Sequence, residues 1–243
     1  MTSVSRYATS WESFWGSTTG TVGEVFWDAD PIHASQQDLA LFRHYFNPQL
    51  PLIDLGCGNG TQTRFLADHF TNVIGAEIAP AAVELAGETN GAANIRYCLL
   101  DVLCPDDAQR LHDEIGDANL YMRAVLHQLA AADHKTAVQS IERLLGTTGT
   151  LYLIELSSAA EPYFARLIQQ YGPPPGLARV FQHQITPGML QDNALESLFP
   201  WNRFTLLDTG PSQIRTVHIL PTGDVVEVPA FYAILRKQES RFR

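Results

Sequence analysis

Five short apolar segments, each followed by polar or helical sequence, constrain this chain more than any other feature. They lie at residues 50–55, 72–77, 95–100, 119–124 and 150–156. Residues 61–70, 80–87, 106–115 and 133–145 between them carry helical patterns. Parallel neighbours need a crossover, so strands separated by helices predict βαβ units and a parallel sheet covered on both faces. A chain of 243 residues, 45% of them apolar, fits one domain with a substantial core.

The flanks read differently. Residues 1–33 are rich in aromatics, Gly, Ser and Thr, and Trp11, Phe14 and Trp15 would share one helix face. Residues 34–46 read as an amphipathic helix. Beyond residue 156 a helix is expected over 159–170, and Gly172-Pro173-Pro174-Pro175-Gly176 is expected to break regular structure. Thr186-Pro187 starts a helix running to residue 198. Strands follow at 204–207 and 228–235, with a turn at 221–224. The predicted organisation is a single domain over 1–243: a lid and helix (1–46), a core (48–156), a cap insertion (157–200) and C-terminal strands (201–243).

The net charge of −10 argues against nucleic acid and an anionic membrane as partners. No secretory signal and no apolar run of bilayer length is visible. Cys57, Cys98 and Cys104 are odd in number and lack paired spacing, which fits free thiols and a cytoplasmic location. The histidines at 33, 44, 69, 112, 134, 183 and 218 show no metal-site spacing, so no metal is expected.

The segment Asp54-Leu55-Gly56-Cys57-Gly58-Asn59-Gly60 joins a strand to a helix. Glycines let such a loop turn tightly and approach a ligand, above the unpaired N–H groups of the helix start. The spacing is Gly-x-Gly-x-Gly rather than the Gly-x-Gly-x-x-Gly of dinucleotide sites. Glu77 and Asp101 end the next two strands. A carboxylate at the second strand end can accept both ribose hydroxyls, and one at the third can accept an adenine amino group. Together these residues closely resemble the class I S-adenosylmethionine (SAM)-dependent methyltransferases over residues 48–156. The resemblance implies a Rossmann-like, doubly wound α/β sheet of seven strands, the last antiparallel and supplied by residues 228–235. It implies SAM as cofactor, with S-adenosylhomocysteine (SAH) as product. Gly56, Gly58 and Gly60 would line it, Glu77 and Ile78 would meet the ribose side, and Asp101 and Val102 the adenine side. Asp54 would act through water or backbone on the ammonium end, and Arg123 would contact the cofactor or a strand-end carboxylate.

The segment Arg123-Ala124-Val125-Leu126-His127-Gln128 ends the fourth strand. It resembles the Leu-His-Asp-Trp segment of plant and fungal small-molecule O-methyltransferases, although Gln128-Leu129 replaces Asp-Trp and Ala118 replaces an acid. The resemblance implies His127 as general base and Glu155, at the fifth strand end, as its support. A histidine suits the task because it is deprotonated near neutral pH and can accept a hydroxyl proton.

Trp11, Trp15, Phe26 and Trp27 faintly resemble the N-terminal lid of thiopurine-type methyltransferases, which would exclude water and face a sulfonium cation. Phe164, Phe181 and His183 fall in the cap insertion and are candidate substrate contacts. The reading is methyl transfer to a small-molecule acceptor, with oxygen the preferred nucleophile. Three alternatives stay open: nitrogen or carbon acceptors, SAM binding without transfer, and a nicotinamide dehydrogenase. Oligomeric state is not readable.

Overall fold

Leu52–Leu55 (β1), Val73–Glu77 (β2), Asn119–Arg123 (β4) and Thr150–Leu156 (β5) are buried along nearly their whole length, as parallel strands covered on both faces must be. The computed structural model of the chain describes residues 5–186, 188, 190–191 and 194–238. Ile95–Leu99 (β3), Phe204–Ile219 (β6) and Val225–Lys237 (β7) complete one seven-stranded sheet in the order β3-β2-β1-β4-β5-β7-β6. β1 to β5 pair in parallel, and β7 runs antiparallel to both β5 and β6.

Side chains alternate across the strands, so each strand feeds two cores. On one face Leu120, Met122, Leu151 and Leu153 pack under Pro105–Ile115 (α5), His134–Leu145 (α6) and Ala194–Leu198 (α9). On the other, Tyr121, Tyr152 and Ile154 pack with Phe42 of Ser35–Phe42 (α2), Leu66 of Thr61–Leu66 (α3) and Leu167 of Ala160–Tyr171 (α7). A third apolar cluster joins Arg6–Gly16 (α1), Pro80–Thr89 (α4) and Pro175–Gln182 (α8) through Phe14, Trp15, Ala82 and Val180.

Three expectations change. The Pro-rich stretch ends α7 at Gly172, but Pro174 and Pro175 then serve as N-cap and first-turn residue of α8. The helix expected over 186–198 is present only as α9, and Pro187 lies outside the described residues. The two short C-terminal strands are one long hairpin turning at 220–224. No helix among the described residues is long and apolar enough to cross a membrane.

Candidate active site

The glycine loop leaves the C-terminal end of β1 and is tied down at once: the N–H groups of Gly56 and Cys57 donate to Ala76 O of β2 at 2.8 and 3.2 Å. Gly56 (φ +81°) and Gly58 (φ +53°) occupy left-handed backbone. A Cβ on Gly56 would lie 2.6 Å from Val125, and one on Gly58 2.7 Å from the indole of Trp15. The loop is thus pressed between the exit of β4 and α1. Both glycines line a large cavity at the C-terminal edge of the sheet. Gly60 does not: it precedes α3 and backs onto Tyr97, which corrects its assignment to the cavity wall.

The strand-end acids take distinct positions. Asp54 is buried and accepts from Thr63 Oγ1 at 2.5 Å; burial, reinforced by Glu77, lifts its carboxyl to about 7 against that hydrogen bond. Glu77 accepts from Gly58 N–H at 3.1 Å, Ile78 N–H at 2.8 Å and Ala79 N–H at 3.2 Å, so it staples the loop to the end of β2. Burial raises Glu77 and these donors hold it back. Asp101 is raised by burial while accepting from Leu103 N–H at 2.8 Å. Asp54, Glu77, Ile78, Asp101 and Val102 all line the cavity.

Two acids were not identified from sequence. Asp28 lines the cavity and accepts from Asn59 Nδ2 at 2.6 Å and Thr61 Oγ1 at 3.1 Å; burial raises it, opposed by those donors and Arg123. Asp38 of α2 accepts from both Tyr121 and Tyr152 hydroxyls at 2.7 Å. It also pairs with Arg123 Nη1 at 3.4 Å. Of the two contacts expected for Arg123, cofactor or strand-end carboxylate, this ion pair is neither: its acid lies on a covering helix. Burial works against the charge of Arg123, yet Asp38 and the two phenols raise it. Its Nη2 is buried without a hydrogen-bond partner, and the residue lines the cavity. Asp38 had a signal: it shares the face of Ser35, Leu39 and Phe42 at helical spacing, an acid within an apolar stripe.

Past Arg123 the chain turns sharply. Ala124 has φ +63°, a strained conformation for a residue with a Cβ. The turn aims three backbone N–H groups at the carboxylate of Glu155, which is fully buried: Val125 at 2.9 Å, Leu126 at 2.7 Å and His127 at 3.2 Å. His127 Nδ1 adds a fourth contact at 2.7 Å. His127 Nε2 meets the side-chain amide nitrogen of Gln128 at 2.8 Å. His127 and Gln128 line the cavity, whereas Glu155 stands behind them.

Aromatic and aliphatic residues close the cavity. Trp11, Trp15, Phe26 and Trp27 come from the N-terminal segment, Phe164, Ile168, Leu177, Val180 and Phe181 from α7 and α8. Ile214, Thr216 and Val228 of the β6–β7 hairpin form another wall. α1 is held at both ends and its middle. Tyr7 Oη donates to Asp133 at 2.7 Å, and Glu12 accepts from Ala81 N–H of α4 at 2.9 Å. Arg179 of α8 stacks on Phe14 at 4.7 Å and donates to Ser17 and Thr18 hydroxyls at 2.9 and 2.8 Å. His183 does not line the cavity; it bonds Ser13 at 2.9 Å and Ser17 at 3.3 Å, so it clasps the lid helix rather than facing a substrate. Among the described residues no group of three or more His, Cys, Asp or Glu side chains is placed to hold a metal ion.

The family model described as "Methyltransferase domain" matches residues 53–153. A SAM-dependent methyltransferase from Anabaena variabilis has a solved structure 41% identical to this chain, with a TM-score of 0.92 over 96% of both chains. Two more distant structures share the fold. One, a SAM-dependent methyltransferase from Methanosarcina mazei, is 15% identical, with a TM-score of 0.59 over 81% of this chain and 96% of that one. The other is the DhpI–SAH complex, 13% identical, with a TM-score of 0.58 over 96% of this chain and 98% of that one. No curated protein sequence matches the chain. The glycine loop, the acids behind it and the near-complete match to the Anabaena variabilis enzyme make this chain a member of the SAM-dependent methyltransferases.

Proposed function

We propose that the protein transfers the methyl group of SAM to a hydroxyl oxygen of a small, largely apolar acceptor, with His127 as general base. The observation that carries this reading is the Glu155–His127 pair at the cavity edge. Glu155 accepts from three backbone N–H groups and from Nδ1. The carboxylate faces Nδ1 as an acceptor, which places a ring proton on that nitrogen. The neutral ring then keeps its lone pair at Nε2, on the cavity side, where it can take a hydroxyl proton.

The residues present fit SAM. Gly56 and Gly58 offer backbone without side chains, Glu77 would accept from ribose hydroxyls, and Asp101 from an adenine amino group, with Ile78 and Val102 beside them in the cavity lining. The unpartnered Arg123 Nη2 suits a carboxylate, and Asp28 suits an ammonium group; Asp54 acts beneath them by holding the loop. Bound there, SAM supplies a methyl carbon activated by its sulfonium. The chain's part is to align the acceptor with that carbon, exclude water under Trp11, Trp15 and Trp27, and receive the proton. The indole faces also favour a cation.

The walls from α7, α8 and the hairpin are mostly apolar, which supports an acceptor with apolar surface. The net charge of −10 favours such a molecule over nucleic acid. The chain acts as one domain in this reading, 1–46 as lid and helix, 157–200 as cap. Three free cysteines support a cytoplasmic setting.

The test is methyl-labelled SAM with a panel of phenols, carboxylic acids and amines, using the wild type and His127→Gln. We expect transfer to hydroxyl acceptors, a 10²–10⁴-fold loss of kcat in the variant and unchanged SAH affinity by calorimetry. Undiminished hydroxyl transfer in the variant, or transfer to amines alone, overturns the reading.

A further inference from the structure

In this structure the base is already in use. An amide nitrogen can only donate, so at 2.8 Å the Gln128 side-chain N–H meets the lone pair of His127 Nε2. The orientation of that amide follows from the chemistry. Glu155 fixes the proton on Nδ1, so Nε2 must face a donor; turning the amide over would set two lone pairs against each other. Gln128 Oε1, in turn, is buried without a partner. An acceptor that uses Nε2 has to part this contact.

We propose that the reacting group inserts between Gln128 and His127, and that this pair selects oxygen over nitrogen; the inference rests on His127 being the base. A hydroxyl fits the gap without losing a hydrogen bond. It accepts from Gln128 Nε2–H and donates to His127 Nε2, replacing N–H···N by N–H···O–H···N. The oxygen has two lone pairs, so one holds Gln128 while the other attacks. In the transfer the O–H bond breaks and its proton goes to Nε2. The free lone pair of oxygen forms the bond to the methyl carbon, as the carbon–sulfur bonding pair returns to sulfur and cancels its charge. A neutral amine has a single lone pair. If it accepts from Gln128 it has none left for attack, and if it attacks it leaves Gln128 N–H unpaired, at a cost of about 1–3 kcal/mol. Gln128 thereby orients the acceptor oxygen and sets the chemical class admitted.

The test is calorimetric binding of 2-naphthol and 2-naphthylamine to the SAH complex, followed by turnover of both with SAM. An amine can also accept and donate in the gap of the SAH complex, so the two probes are expected to separate in turnover: wild type is expected to favour the naphthol about tenfold in kcat/KM. Gln128→Met, similar in size and without the amide, has no N–H for an attacking amine to leave unpaired, and is expected to lower the hydroxyl-to-amine ratio in kcat/KM about tenfold. SAH affinity and thermal midpoint of Gln128→Met check that the fold is intact, and Gln128→Asn, which keeps a shorter amide, is expected to restore part of the preference. Equal wild-type kcat/KM for the two probes overturns the inference, as does undetectable turnover of the naphthol. So does a ratio unmoved by Gln128→Met. Loss of turnover in His127→Gln with that ratio unmoved would remove the role of Gln128 and leave the base standing.

Discussion

Asp54 shows what a single residue contributes to both stability and function. Its carboxyl titrates at about 7 in the folded chain because it is buried, against 3.8 for the group in water. The folded state therefore holds this proton more tightly than the unfolded chain does. Stability from this group is greatest at low pH and is lost as pH rises from about 4 to about 7. The full span is worth roughly 4 kcal/mol. Asp54→Asn keeps an oxygen for the Thr63 hydroxyl and has no such titration. Its thermal midpoint, relative to wild type, is expected to rise as pH goes from 5 to 8, read by differential scanning fluorimetry; parallel curves would contradict the burial argument. Residue-level legibility follows the same physics. Glu77 and Asp101 were readable because a strand's end is marked by its own apolar run. Asp28 and Asp38 were not, because their partners Asn59, Tyr121, Tyr152 and Arg123 lie far off in sequence. Nor did anything announce that three backbone N–H groups would converge on Glu155, since that depends on the left-handed turn at Ala124.

At the level of elements, α1 and α8 behave as one cover. Arg179 reaches Phe14, Ser17 and Thr18 at the C-terminal end of α1 and pairs with Glu24 at 3.1 Å. Arg179→Ala is expected to cost about 1–2 kcal/mol, to speed proteolytic cleavage within residues 17–24 and to weaken SAH binding. Cleavage at the wild-type rate would show that the clasp does not hold the lid. Elements were legible where periodicity was clean. α1 was half visible, through the shared face of Trp11, Phe14 and Trp15. β6 runs well past the 204–207 expected from sequence, through Asp208-Thr209-Gly210-Pro211 to Ile219. In the structure β6 is the edge of the sheet, where the missing N–H of Pro211 breaks no necessary ladder, and a register shift between Leu206 and Asp208 absorbs the irregularity.

For the whole molecule, the alternation of strands and helices was enough to place the ligand edge. Right-handed crossovers put every βα loop on the C-terminal side of the sheet, so the glycine loop, Glu77, Asp101 and His127 had to gather there. The cap's own geometry was not legible, because its helices are placed by contacts with α1 and the hairpin rather than by a local period. SAH binds only the folded chain in this scheme, so its addition is expected to stabilise by about 2.7 kcal/mol at a hundred times Kd. For a chain of this size that is a rise in Tm of roughly 5–10 °C. A midpoint indifferent to SAH would contradict binding in the cavity.

Val125 sits where a side chain of Gly56 would be, and its own N–H is held by Glu155. One turn of backbone therefore braces the glycine loop on one side and sets His127 on the other. Neither half can shift in the fold without moving its counterpart. α7, α8 and the β6–β7 hairpin line the cavity and lie outside that knot. Exchanges in the cap would reshape that side of the cavity while leaving the turn at Ala124 alone.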